Sequence, residues 1–264
     1  MLRSSLALLL FFAKIRARMK GTLSFMATKA EIKAILFDLD GTLLPMDQSV
    51  FLKEYLKRLS MFVAPYGIAP NTMVEATMGA TEFMIRNDGS RYNKEAFWEN
   101  FFKMIGQERT ELISITDEFY LGPFKKVREH VGTNPRARDM IEAAHRNGRK
   151  VVLATNPVFP MAAQLERISW IGLEESDFDL ITSYDNSKFS KPNPNYYRDI
   201  CDKIGIAPEN CLMIGNDERD DMKAATEAGM RCYLVTDCRI MSDHFVWTGE
   251  RGSFEQAVHM LERL

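Results

Sequence analysis

The sequence predicts an α/β fold, a doubly wound parallel sheet interrupted by an inserted all-α domain. Short apolar runs that end in glycine or polar clusters alternate with helical segments of about 10 to 15 residues, which is typical of βαβ units. Between residues 47 and 130 this alternation stops, and aromatic and aliphatic residues recur at helical spacing. We therefore expect one α/β core that carries a helical insertion.

The strands are predicted from apolar runs bounded by turn residues. A short continuous apolar run closed by such residues is typical of a strand buried on both faces of a parallel sheet. The runs cover residues 32–39, 150–154, 211–214 and 231–235, with a shorter candidate at 178–181.

Helix boundary signals lie between these runs. Asn134 followed by Pro135 predicts a helix start and Gly148 its end, while Ser253 and Gln256 form a capping box before the last helix. Further helices are predicted over residues 195–204 and 220–228. The resulting domain prediction comprises an N-terminal extension (1–30), an α/β core (31–46 and 131–264) and a helical insertion (47–130).

Composition excludes several functional classes. The 264 residues contain 34 Lys and Arg against 36 Asp and Glu, a net charge of −2, so no basic field is available for nucleic acid or an anionic membrane. The four cysteines show no C-x-x-C spacing and are predicted to be reduced thiols of a cytoplasmic protein. The four histidines form no zinc-binding pair. The expected partner is a small molecule, and the oligomeric state is left open.

The first 30 residues differ from the rest of the chain. An apolar run over residues 6–13 is far too short to span a bilayer, and basic residues follow it directly. One interpretation is a start codon assigned too early, with Met19 or Met26 opening the native protein, and the other is a targeting segment. Under either interpretation we expect this segment to be poorly ordered and separate from the chemistry.

Two carboxylates follow the first predicted strand. Asp38 and Asp40 are two residues apart, so in extended chain both side chains point toward one site, and Gly41 allows a tight departure. Adjacent carboxylates repel each other, and a divalent cation relieves that repulsion. An Asp-x-Asp-Gly run also occurs in calcium loops, but Ser49 stands where such a loop would need its glutamate.

Three further polar clusters lie at or after strand ends, where ligands bind in open α/β sheets. Thr155-Asn156 offers a hydroxyl and an amide suited to phosphate oxygens, and Lys191 is a positive charge in a stiff Pro-flanked loop. An acidic cluster follows the strand that ends near Gly215. It comprises Asp217, Asp220 and Asp221.

These clusters, in this order, resemble the four motifs of the haloacid dehalogenase superfamily of phosphatases. Residues 38–42 (DLDGT) resemble the first motif, Thr155 the second, Lys191 the third, and residues 215–221 the fourth. The insertion after the first motif matches the family's helical cap class. The resemblance implies a Rossmann-like core and Mg²⁺-dependent phosphomonoester hydrolysis of a small phosphorylated metabolite. Asn216 departs from the usual Gly-Asp pair, so Asn216 or Asp217 could be the metal ligand, and Asp217 is preferred as a carboxylate.

The resemblance also implies a role for each motif residue. Asp38 is the expected nucleophile that forms an aspartyl-phosphate, and Asp40 the expected general acid and base. The expected phosphate ligands are Thr155, Asn156 and Lys191. Expected Mg²⁺ ligands are Asp38, Asp217 and the backbone carbonyl of Asp40, with Asp220 and Asp221 behind them.

Three alternatives are weighed against hydrolysis. A carbon-halide dehalogenase shares the aspartate nucleophile but needs no proton for the departing halide, so Asp40 argues against it. A phosphomutase retains Asp40 and stays open. A non-catalytic binding module would be expected to have lost a motif carboxylate or Lys191, and none is missing. The substrate is not predicted, because no recognition motif is found in the helical insertion.

Overall fold

The computed structural model describes residues 31–264, and the predictions for the N-terminal extension lie outside this range. Six parallel strands form one sheet in the order β3-β2-β1-β4-β5-β6. The strands are β1 (Ala34–Phe37), β2 (Lys150–Leu153), β3 (Leu180–Ile181), β4 (Cys211–Gly215), β5 (Arg231–Val235) and β6 (Arg251–Gly252). The predicted fold class is confirmed.

Nine α-helices accompany these strands in the described part of the chain. They are α1 (Gln48–Val63), α2 (Pro70–Ile85), α3 (Asn93–Ile105), α4 (Glu111–Leu121), α5 (Ala137–His145), α6 (Met161–Ser169), α7 (Pro194–Ile204), α8 (Ala224–Ala228) and α9 (Phe254–Glu262). The capping box predicted at Ser253 is present at the start of α9.

Strand β1 lies at the centre of the sheet, paired with β2 on one side and β4 on the other. Its side chains alternate between two apolar layers: Ile35 and Phe37 join one buried cluster, and Ala34 and Leu36 join the other. All four are completely buried. Because the three central strands are parallel, the loops after β1, β2 and β4 leave the sheet at the same edge.

The helical insertion contributes α1 to α4 and a short 3₁₀ helix, Pro123–His130. Aromatic rings fasten it to the core, since Tyr55 of α1 packs edge-on against Phe124 and against Phe159 in the loop after β2. The buried Asn93 at the start of α3 donates to Ser190 Oγ at 3.0 Å, and its backbone N–H donates to the Ser187 carbonyl at 2.8 Å. These bonds tie the insertion to the loop that carries Lys191.

The structure differs from the sequence predictions in three elements. The helix predicted over residues 220–228 is divided into a π-helical turn, Glu218–Lys223, and α8. Helix α6 and the two-residue strand β6 were not predicted, since neither has a strong start signal. Within residues 31–264, no helix is long and apolar enough to cross a membrane.

Candidate active site

Asp38 stands directly after β1 and is fixed by the backbone there. Its N–H donates to the Ile214 carbonyl of β4 at 2.9 Å, which extends the sheet by one residue. Gly41 then turns the chain with a φ of +90°, and a Cβ there would lie 2.2 Å from the side-chain amide of Asn216. Glycine is therefore required at this position for both conformation and space.

Lys191 joins the first and fourth motifs. Its Nζ lies 2.8 Å from Asp38 Oδ1 and 2.6 Å from Asp221 Oδ1, and its side chain is almost completely buried. The other oxygen of Asp221 accepts the backbone N–H groups of Asn216 and Asp217, both at 3.1 Å. Asp221 thus holds the lysine in place and the acidic loop against it.

The electrostatic surroundings of Asp38 favour its neutral form. Burial, opposed by the charge of Lys191 and assisted by the carboxylates of Asp221 and Asp40, raises the pKa of Asp38 to about 7. Burial lowers the pKa of Lys191, but Asp221 and Asp38 more than offset this, so its pKa is well above the ordinary value. Lys191 is therefore a permanent positive charge beside the Asp38 carboxyl.

Asp40 is paired with a buried arginine that the sequence analysis missed. Arg167 of α6 has no exposed surface, and its guanidinium lies 2.5 Å from Asp40 Oδ2. The guanidinium carbon also lies 4.6 Å from the centre of the Phe159 ring, within cation–π range. The other oxygen, Asp40 Oδ1, is buried and has no hydrogen-bond partner. Arg167 fixes one oxygen of Asp40 and leaves the other for a ligand.

Thr155 and Asn156 follow β2 and line the same cavity as Asp38. The Thr155 carbonyl accepts the hydroxyls of Tyr196 and Thr182, both at 2.8 Å, which fixes the backbone at this turn. The side-chain oxygen of Asn156 is buried without a partner. The structure therefore places both residues on the wall of the cavity that contains Asp38.

The acidic loop after β4 contains the π-helical turn, closed by a bond from the Met222 N–H to the Asp217 carbonyl at 3.1 Å. Asp217 Oδ1 caps this turn by accepting two backbone N–H groups. Burial, with further contributions from Asp220 and Asp221, raises the pKa of Asp217 to about 6. The Thr42 hydroxyl lies between Asn216 and Asp38, since its Oγ1 is 3.3 Å from Asn216 Oδ1 and 3.2 Å from Asp38 Oδ2.

One cavity of about 230 Å³ brings together all eight side chains selected from the sequence. Five carboxylates line it, and Lys191 is the one basic side chain among the described residues that do so. These residues are Asp38, Asp40, Asp217, Asp220, Asp221, Thr155, Asn156 and Lys191.

This donor set fits Mg²⁺. Five carboxylates line the cavity with one lysine, and burial, with smaller contributions from neighbouring carboxylates, raises the pKa values of Asp38 and Asp217. A divalent cation would offset this excess of carboxylates. In residues 31–264 no three His, Cys, Asp or Glu side chains form a ready metal cluster. Mg²⁺ needs only one or two carboxylates, with carbonyl oxygens, waters and substrate phosphate as further ligands. Asp38, Asp217 and the Asp40 carbonyl can supply that number.

Residues 32–229 match the family model of the haloacid dehalogenase-like hydrolases. The chain belongs to this family. The predicted family and the predicted enzyme class, a hydrolase, are therefore confirmed.

Named relatives cover most of the chain. It is 29% identical over 205 residues to a glyceraldehyde 3-phosphate phosphatase of Methanothermobacter thermautotrophicus, covering 77% of this chain and 85% of that protein. It is 27% identical over 211 residues to a phosphoglycolate phosphatase of Neisseria gonorrhoeae, covering 78% and 80%. A solved HAD phosphatase from Thermococcus onnurineus shares the fold, with a TM-score of 0.55 and 18% identity over 87% of this chain and 98% of its own.

Proposed function

We propose that the chain is a Mg²⁺-dependent phosphomonoester hydrolase that acts on a small phosphorylated metabolite through an aspartyl-phosphate on Asp38. The observation that carries this proposal is the contact of Lys191 with both Asp38 and Asp221, beside Asp40 in one cavity. A nucleophile, a fixed positive charge and a second carboxyl with a free oxygen are the groups that phosphoryl transfer requires. Family membership and the phosphatase names of the relatives support the same reaction.

The first step is an attack by the Asp38 carboxylate on phosphorus. The new acyl–phosphate bond forms as the ester P–O bond breaks, and Asp40 Oδ1 gives its proton to the departing alkoxide. In the second step Asp40 takes a proton from a water that attacks the same phosphorus, which releases inorganic phosphate and restores Asp38.

The remaining residues neutralise and orient the phosphoryl group. Lys191, Thr155 and Asn156 bind its oxygens, and Asp221 keeps Lys191 in position through the 2.6 Å contact. Bound by Asp38, Asp217 and the Asp40 carbonyl, Mg²⁺ would supply the charge that allows a phosphate dianion to approach a carboxylate. Asp217 is preferred over Asn216 as ligand, since its carboxylate is charged, whereas the Asn216 side-chain oxygen is neutral and accepts the Thr42 hydroxyl at 3.3 Å.

The test is phosphate release from p-nitrophenyl phosphate and from a set of phosphorylated metabolites. We expect release that EDTA abolishes and Mg²⁺ restores, and a fall in kcat of at least about a thousandfold for Asp38→Asn. Asp243→Asn is the matched control, because Asp243 is exposed and does not line the cavity. Acid-quenched wild-type protein should carry one phosphoryl group on Asp38.

Two results would contradict the proposal. Phosphate release by folded Asp38→Asn at the wild-type rate would exclude Asp38 as nucleophile. Transfer of the phosphoryl group to a second hydroxyl of a sugar phosphate, without release of inorganic phosphate, would identify the phosphomutase alternative instead.

A further inference from the structure

A second cavity of about 150 Å³ lies between the helical insertion and the core, next to the catalytic cavity. The two share Leu52, Val158 and Phe159 as walls. Helices α1, α2, α3 and α4 all contribute to it, together with Tyr184 of the core. The second cavity is therefore adjacent to the one that contains Asp38.

The lining of this cavity is apolar and uncharged. Among residues 31–264, those that line it include no Asp, Glu, Lys, Arg or His side chain. Most are large aliphatic or aromatic residues, such as Leu59, Met73 and Trp98. An apolar cavity of this size, about 150 Å³, accepts a benzene-sized group in other proteins.

Three arginines of the insertion add no positive charge to the lining of this cavity. Arg58 lies near Glu54 and Glu129, and Arg86 pairs with Glu82 on the surface. Arg91 pairs with Glu99, and none of the three arginines lines either cavity. A carboxylate or second phosphate on the substrate would therefore lose its hydration without gaining a cation.

Two polar atoms in the lining are buried without a hydrogen-bond partner, the Thr77 hydroxyl and the Trp98 indole Nε1. Thr77 of α2 is 4% exposed, and its hydroxyl has no hydrogen-bond partner. The hydroxyls of its neighbours are engaged: Thr81 donates to the Thr77 carbonyl, and Thr116 donates to the Ile113 carbonyl. A buried hydroxyl without a partner is costly unless a ligand satisfies it.

We propose that this cavity binds the leaving group of the substrate, and that this group is a ring-sized apolar alcohol with one polar atom that hydrogen-bonds Thr77. The proposal rests on the phosphatase function proposed above. It assigns to this chain a substrate class different from the short polar molecules named for its relatives.

The first test compares two phosphate esters of primary alcohols, benzyl phosphate and glycerol 1-phosphate. We expect wild-type kcat/KM to be at least about tenfold higher for benzyl phosphate, because the ring is buried in the transition state. Thr81→Phe narrows the cavity from a half-buried position and should lower kcat/KM for benzyl phosphate about tenfold. It should lower kcat/KM for glycerol 1-phosphate by a smaller factor, because glycerol buries less apolar surface than a benzyl ring. Thr72→Phe, on an exposed part of the same helix, is the matched control and should alter neither value.

The second test needs no added bulk. Thr77→Val keeps the side-chain shape and removes the hydroxyl. It should lower kcat/KM about tenfold for 2-(4-hydroxyphenyl)ethyl phosphate, and much less for 2-phenylethyl phosphate.

The outcomes separate the two proposals. Release of phosphate from glycerol 1-phosphate as fast as from benzyl phosphate, with equal effects of Thr81→Phe on both, would refute the apolar pocket and leave the phosphatase intact. If no ester released phosphate with Mg²⁺ present, the phosphatase and the pocket would fail together.

Discussion

Removal of Arg167 tests whether the buried ion pair with Asp40 stabilises the site and positions Asp40. The arginine is completely buried, while the Asp40 side chain is 20% exposed. Arg167→Met keeps an apolar stem against Phe159 and removes the positive charge. Asp40 then faces the Asp38 carboxylate with no cation at its own oxygen.

The expected loss in the free energy of unfolding follows from how deeply each side chain of the pair is buried. Loss of one partner of a fully buried pair costs about 3 to 5 kcal/mol. Because water reaches part of Asp40, we expect about 2 to 3 kcal/mol for Arg167→Met. Asp40→Asn leaves Arg167 buried without a carboxylate and should destabilise the protein as well. The double variant should lose about 1 to 2 kcal/mol less than the sum of the single losses.

The assay is urea unfolding of the four proteins of this double-mutant cycle, with Mg²⁺ absent. Lys223 and Glu227 provide the control cycle, since this pair lies 3.6 Å apart on an exposed helical surface. Its coupling should be on the order of a few tenths of a kcal/mol. Activity supplies a separate readout: Arg167→Met should lower kcat more than it raises KM, because the role proposed for Asp40 is proton transfer rather than binding.

Additive effects would refute this reasoning. If the double variant lost the sum of the two single losses to within about 0.5 kcal/mol, the 2.5 Å contact between Arg167 and Asp40 would contribute no net coupling. If Arg167→Met also retained wild-type kcat, the arginine would have no part in positioning Asp40.

Two further predictions concern charge and backbone at the same site. Because the folded pKa of Asp38 is about 7 against an ordinary 3.8, its contribution to stability is present below pH 4 and is lost as the pH rises through 7. In EDTA this loss of stability should reach at most about 4 kcal/mol. The rise in Tm on adding Mg²⁺ should therefore be larger at pH 8 than at pH 5. An equal rise at the two pH values would contradict this prediction. In urea unfolding, Gly41→Ala should lower the free energy of unfolding more than Gly106→Ala. Both glycines have positive φ, but only at position 41 would the added Cβ contact Asn216. Equal losses in the two variants would contradict this prediction.

The sequence was sufficient to predict the residues at the strand ends. Once Asp38, Thr155 and Asp217 were placed after buried parallel strands, topology alone required their loops to meet at one edge of the sheet. Lys191 was predicted less directly, from the stiffness of its loop. The structure shows that Asp221 and the Asn93 contacts to that loop also hold it.

Arg167 could not be predicted in this way. It lies within a helix, between Glu166 and Ile168, in a pattern that is equally typical of a solvated surface. Its role depends on which face of α6 turns toward Asp40, 127 positions earlier in the chain. The π-helical turn escaped prediction because it is a single turn of six residues, Glu218–Lys223, too short for a sequence pattern to distinguish it from an α-helix.

In the two proposals, the two cavities contribute to substrate recognition through different forces. In the catalytic cavity, Lys191 contacts Asp38 and Asp221, Arg167 contacts Asp40, and Arg219 contacts Asp220. Among the described residues, no basic side chain pairs with the fifth carboxylate, Asp217, and one lysine serves two of the others. That excess of carboxylates favours a divalent cation and, through it, a phosphate group. The second cavity offers no charge, so its contribution to binding comes from burial of apolar surface. Under the two proposals, the phosphate chemistry common to the family would be retained, while the lining of the second cavity, formed by the helical insertion with Val158, Phe159 and Tyr184, would determine which alcohol is released.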